Sequence, residues 1–273
     1  MSESDGGPAT AVPPAAPVVA PRAAPLLRAF LLDVVIAGAV LLAAGIATGV
    51  AWGAWRAVQV MHESGGAVAD ATAAMGQPGA LAQMLMAALG MSAAALVVYV
   101  LRRPATAAER RQSWAALRCR STWAWSAGIG VAVFAGSALL GWIMRRAGVE
   151  PVPTNLALVE EAARQWPLVL VLFAVALAPA YEELLFRRVL FGRFLAAGRP
   201  WLGLVLASLA FALVHEVPGL SANPPLAVLQ LWTIYGAMGA AFGWLYWRTG
   251  TLWAPVLAHA LNNALALAFH GLS

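Results

Sequence analysis

The sequence predicts an all-α protein, a polytopic bundle of about seven membrane-spanning helices. Three observations predict it. Of 273 residues, 62% are hydrophobic and 11% are charged, less than half the charged share of an ordinary soluble domain. Mean hydropathy is +0.76. The apolar residues gather in runs of roughly 20, the length that crosses a hydrocarbon core of about 30 Å.

Residues 1–25 hold Pro13, Pro14, Pro17, Pro21 and Pro25 among Ala and Gly; such a segment cannot bury a core and is expected to be a disordered tail. Arg22 and Arg28 precede the first span, 29–55, which is too long for a signal-peptide core and is followed by no clear cleavage site. The next two spans, 80–101 and 123–144, flank a loop holding Arg102, Arg103, Arg110, Arg111, Arg118 and Arg120 against a single Glu109. The positive-inside rule puts that loop in the cytoplasm. The N-terminal tail and the segment with Arg187, Arg188, Arg193 and Arg199 then also lie inside, while loops 56–79 and 145–165 and the C-terminus lie outside. Four more spans are expected at 166–186, 201–217, 225–247 and 254–270. Trp123, Trp166, Trp201 and Trp253 fall near span ends, where indoles seek the interface. Residues 26–150 read as N-terminal transmembrane helices and 151–273 as the part that carries chemistry.

Other features narrow the function classes. Every basic residue is Arg and the net charge of +5 reads as topology, not as a nucleic-acid footprint. One cysteine, Cys119, excludes an intrachain disulfide and any multi-cysteine metal site. No internal repeat is evident, which weighs against a repeat-built transporter.

Polar residues cluster in the last four spans, where an intramembrane charge suggests function. In 181-YEELLFRR-188, Glu183 and Arg187 are i,i+4 neighbours that can pair, while Glu182 projects about 100° away and stays free. Alternatively both glutamates mark the end of a span. In 211-FALVHE-216, Phe211 lies one turn before His215 and can pack on its ring; a lone histidine here could equally be a buried core residue. Glu216 does not make a zincin motif, because the H-E-x-x-H pattern requires histidine where the chain has Gly219. In 259-HALNNALA-266, His259 and Asn263 share one helical face, with Asn262 alongside, although such residues also glue membrane helices together.

Geometry argues for taking the clusters together. If the fourth span continues as helix and turns at Gly198–Pro200, Glu182 and His215 lie about 16 residues either side of that turn, and so at equal depth in an antiparallel hairpin. Glu182 then sits roughly 7 Å deeper than Arg187. The reacting groups are expected in the cytoplasmic half of the bilayer, with water entering past positions 186 and 190. The irregular 217–225 must be shielded by protein or line a wet cavity.

The ordered set E-E-x-x-x-R at 182–187, F-x-x-x-H at 211–215 and H-x-x-x-N at 259–263 resembles the CAAX protease and bacteriocin-processing (CPBP, or ABI-type) family of intramembrane endopeptidases, over about residues 160–270. The resemblance implies a multi-pass protein, of a bacterial cytoplasmic membrane, that hydrolyses a peptide bond of a membrane-associated protein or peptide. In that reading Glu182 is general base on a water, His215 holds and polarises the water, and His259 and Asn263 stabilise the oxyanion. Glu183 and Arg187 are structural support. A metal-free mechanism is favoured; zinc on Glu182, His215 and His259 is the alternative. Two other classes remain: a transporter or proton-relay protein using the same Glu and His, and a non-catalytic bacteriocin-immunity scaffold.

Overall fold

The computed structural model describes residues 23–63 and 74–271, which form nine helices and no strand. They are α1 (Ala23–Glu63), α2 (Ala80–Arg102), α3 (Ala107–Leu117), α4 (Arg120–Arg146), α5 (Leu156–Gln165), α6 (Pro167–Ala196), α7 (Pro200–His215), α8 (Pro225–Thr249) and α9 (Trp253–Gly271). The tail expected at 1–25 lies outside the described residues except for 23–25, which open α1. Pro25 is tolerated there because the first turn has no intrahelical use for its missing N–H.

Five helices, α1, α2, α4, α6 and α8, are long and apolar enough to cross a membrane. Their outer faces are bare of polar cover: Val35, Leu42 and Val50 on α1 are 65%, 66% and 67% exposed. Apolar belts of that size belong against lipid. The first of these helices overruns the expected 29–55 at both ends, since 56-RAVQVMHE-63 contains no Gly or Pro to stop it and its 41 residues span about 60 Å. By contrast α7, at 16 residues, reaches only about 24 Å. It stops short of a full crossing at His215.

Two expected loops contain helix. The arginine-rich connection holds α3, started by a capping box in which Thr106 and Glu109 exchange side-chain and backbone hydrogen bonds. The 145–165 connection holds α5, whose Ala162 packs with Ala80, Met84 and Leu170 in a small separate core.

The main core centres on α6, whose Tyr181, Leu185, Phe186, Val189, Leu190, Phe191 and Phe194 cluster with apolar residues of α1, α2, α7, α8 and α9. The turn expected at Gly198–Pro200 is present: Gly198 takes φ +68° and Pro200 opens α7. Small residues then let helices approach. A Cβ on Gly243 of α8 would lie 2.6 Å from Leu204 Cδ1 of α7, and one on Gly130 of α4 would lie 2.7 Å from the Ala258 carbonyl of α9. These contacts bring α8 close to α7 and α4 close to α9.

Candidate active site

The site begins with a proline. Pro179 lies inside α6, where its ring would crowd the preceding turn, and the helix widens to π geometry over Leu172–Leu177. In that register the Phe173 carbonyl accepts from Ala178 N–H, so the partner due to Ala174 is Pro179, which has no N–H. Asn263 of α9 supplies the missing donor, its Nδ2 lying 2.9 Å from the Ala174 carbonyl. A second π stretch covers Leu184–Phe191. Between the two, Ala178–Glu183 carries both glutamates.

Glu182, His215 and His259 converge. Glu182 Oε2 lies 3.7 Å from His215 Nε2 and 3.9 Å from His259 Nε2, beyond direct hydrogen bonding. That oxygen is buried and makes no hydrogen bond. Both rings are fixed from behind. His215 Nδ1 donates to the Phe211 carbonyl at 2.8 Å, and its ring lies between Phe211 and Tyr235, at centroid distances of 4.3 and 4.6 Å. His259 Nδ1 donates to Glu183 Oε1 at 2.9 Å, and its ring stacks on Phe242 at 5.0 Å. With each Nδ1 used as donor, each Nε2 faces Glu182.

The two carboxylates divide as expected in their ion pairing, but Glu183 has a further partner. Glu183 does pair with Arg187, at 2.8 Å between Oε2 and Nε. However, Glu182 and Glu183 address the same imidazole, because the two nitrogens of His259 lie on opposite sides of its ring. Arg187 is not at a water-facing boundary either. It is 1% exposed, with its guanidinium carbon 4.7 Å from the centre of Phe211 and near Phe186 and Phe242, an aromatic setting suited to a cation.

This aromatic wall also overturns the expected water path past positions 186 and 190, since Phe186 and Leu190 are buried at 3% and 2% exposure. At the other end, the 216–224 segment solves its backbone problem with side chains. Glu216, with no exposed surface, accepts from Thr154 Oγ1 at 2.9 Å and from Asn223 Nδ2 at 3.2 Å. Asn223 makes a double hydrogen bond with the backbone of Val152, 2.8 Å each way, and Trp232 Nε1 donates to the Glu216 carbonyl. Beyond Glu216 the loop itself is mostly exposed, Leu220 at 78%, so these side chains hold its backbone while protein does not cover it, and the expected shielding is not what the segment shows.

Sequence reasoning did not single out Tyr235, Phe242, Thr154 or Asn223, and it weighed Glu216 only as part of a zincin motif that the chain lacks. The i, i+7 spacing of Tyr235 and Phe242 puts them on one face of α8 and was a usable signal; the Glu216 cluster joins segments about 60–70 residues apart and left none.

Among the described residues no group of three or more His, Cys, Asp or Glu side chains is arranged to hold a metal ion. The 3.7 and 3.9 Å edges around Glu182 also exceed the roughly 3.3 Å expected between ligands of a tetrahedral zinc. The donor set does not fit that ion as it stands.

Residues 164–265 match the family described as type II CAAX prenyl endopeptidase Rce1-like, bearing out the resemblance read from the three motifs. A protein of Bacillus subtilis (strain 168) named "Putative membrane peptidase YdiL" is 26% identical over 120 residues, 44% of this chain and 44% of that protein. The match thus spans less than half the length of that relative. No solved structure matches the chain.

Proposed function

We propose that the chain is an intramembrane endopeptidase that hydrolyses a peptide bond of a membrane-associated protein or peptide, with Glu182 as general base. The observation that carries this reading is the convergence of one unpaired carboxylate oxygen on two imidazole nitrogens whose rings are each anchored at Nδ1. Polar groups separated by more than 3.5 Å invite a bridging water. A water there donates one proton toward Glu182 Oε2 and the other toward His215 Nε2, keeping an oxygen lone pair for the substrate carbonyl.

Charge balance supports the remaining roles. Glu182, Glu183 and Arg187 sum to one negative charge, so a proton held on His259 Nε2 makes the buried cluster neutral and turns that nitrogen into a donor. It then supports the oxyanion as the carbonyl becomes tetrahedral. Asn263 has one amide proton committed to Ala174 and a second to offer. Glu182 takes the water proton during attack and returns it to the departing nitrogen as the C–N bond breaks. Glu183 is a positioning residue, orienting His259 and holding Arg187. No step requires a metal.

The test compares membrane-protein termini, by mass spectrometry, in cells carrying the wild type or Glu182→Gln. The variant is expected to remain folded and monodisperse and to lose a defined set of cleaved termini, since general-base removal typically costs 10²–10⁴-fold in rate. Identical termini in both strains would refute the assignment.

A further inference from the structure

At the arginine-rich end of the bundle, four guanidiniums meet two carboxylates. Asp33, buried on α1, accepts from Arg102 Nε at 2.7 Å and from Arg193, whose Nε lies at 2.9 Å. Glu109 gives both oxygens to Arg188, 2.8 Å each. Arg188 donates as well to the Pro104 carbonyl. Both carboxylates are thus committed, and Arg103 has neither.

The Arg103 side chain makes no hydrogen bond or ion pair among the described residues, and its Nε is sealed from solvent. Its guanidinium rests on Gly192 of α6, where a Cβ would stand 3.4 Å from Nε and 3.8 Å from Nη2. Arg188, Tyr246, Glu109 and Arg193 are the charged and titratable groups that act on it. Burial, followed by repulsion from Arg188, lowers its pKa, which is the signature of a cation short of a counter-charge.

Position identifies the source of that charge. Arg103 follows directly on Arg102, the last residue of a membrane-spanning helix. The turn before it shows Val100 and Leu101 to lipid, 60% and 69% exposed. An acyl chain lying on that wall would lead up to the guanidinium.

We propose that Arg103, seated on Gly192 beside Arg188, binds a phosphate-class anion, and that its occupant is the phosphodiester headgroup of an anionic phospholipid. An arginine fork matches phosphate oxygens in pairs, and basic pockets between helices at the cytoplasmic surface suit anionic headgroups.

The experiment uses the full chain, delipidated in detergent and mixed with vesicles of equal parts phosphatidylglycerol and phosphatidylcholine. Native mass spectrometry then counts retained lipids. Wild type is expected to retain phosphatidylglycerol in preference, and Arg103→Gln to lower that preference about fivefold, the effect of one arginine at such a surface. Arg111→Gln, at an exposed position on α3, should leave it unchanged. Arg103→Lys keeps the charge but loses the fork that matches phosphate oxygens in pairs; it should lower the preference at least twofold and covers a Gln variant that does not fold. Added inorganic phosphate should not displace the lipid. Wild-type preference in both Arg103 variants overturns the site. Equal losses in Arg103→Gln and Arg111→Gln reduce it to bulk charge, and displacement by inorganic phosphate overturns the lipid as occupant.

Discussion

Glu183→Gln probes how the buried charges hold one another. Glu183 has no exposed surface and Arg187 is 1% exposed. One Glu183 oxygen meets Arg187 Nε at 2.8 Å and the other accepts from His259 Nδ1 at 2.9 Å. The two Nη groups of Arg187 have no hydrogen-bond partner and lie against aromatic faces. Glutamine keeps the shape and removes the charge, stranding a guanidinium in a sealed interior. Removing one partner of a buried pair costs about 3–5 kcal/mol. The nearby carboxylate of Glu182 still attracts Arg187, which sets the expected loss toward the lower end, about 3 kcal/mol. Against a total of roughly 5–15 kcal/mol that is a large fraction. Equilibrium unfolding in mixed micelles measures it. Glu183→Gln/Arg187→Met should recover most of the loss, because it removes the stranded charge together with its partner. A single variant within about 1 kcal/mol of wild type, or a double variant less stable than the single, would refute the reasoning.

Purified active protein should carry zinc well below one equivalent and keep its turnover in a chelator; stoichiometric zinc, with activity lost on chelation and regained on re-addition, would reverse the proposed metal-free chemistry. Hydrogen bonds from Arg188, above all, hold the Glu109 carboxyl down at about 2. Its contribution to docking α3 is therefore complete above the ordinary carboxylate range and is lost as pH falls through about 2. Hydrogen exchange of α3, normalised to intrinsic rates, should show protection at pH 4 and its loss near pH 2, whereas earlier loss would mean that this pair does not hold the helix. Asn223→Ala removes four hydrogen bonds at once, two to Val152, one to Glu216 and one to Ser221, and should cost on the order of 2–3 kcal/mol and increase proteolysis within 216–224; an unchanged digestion pattern would show the loop to be held by other contacts.

The helices were legible because lipid imposes a simple requirement, a run of apolar residues of sufficient length, and the chain meets it. The convergence of Glu182 and His215 was legible too, since equal distance from the Gly198 turn means equal depth in a hairpin. The second contact of Glu183, with His259, was not. Counting 100° per residue assumes uniform α geometry, and α6 departs from it on both sides of the glutamates. Arg187 misled for a different reason: an arginine near a span end normally reaches for water, and only the three phenylalanines from α6, α7 and α8 reveal that this one turns inward. Asp33 was hidden inside an apolar run that satisfied the span rule without it. Its two partners, Arg102 and Arg193, lie 69 and 160 residues away.

The widened turn at Leu172–Leu177 acts as a phase setting for everything after it. A π turn holds more residues than an α turn, so it rotates the downstream helix relative to a straight continuation. Deleting one residue there would advance both glutamates by about 100° and 1.5 Å, carrying Glu182 off the two imidazoles and Glu183 off His259 Nδ1 while leaving every side chain of the site in the chain. A compensating insertion within the same turn would return them to register. The alignment of Glu182 with the two imidazoles is thus stored in backbone length between Pro167 and Pro179, and this stretch should tolerate substitution of its lipid-facing residues far better than any change in their number.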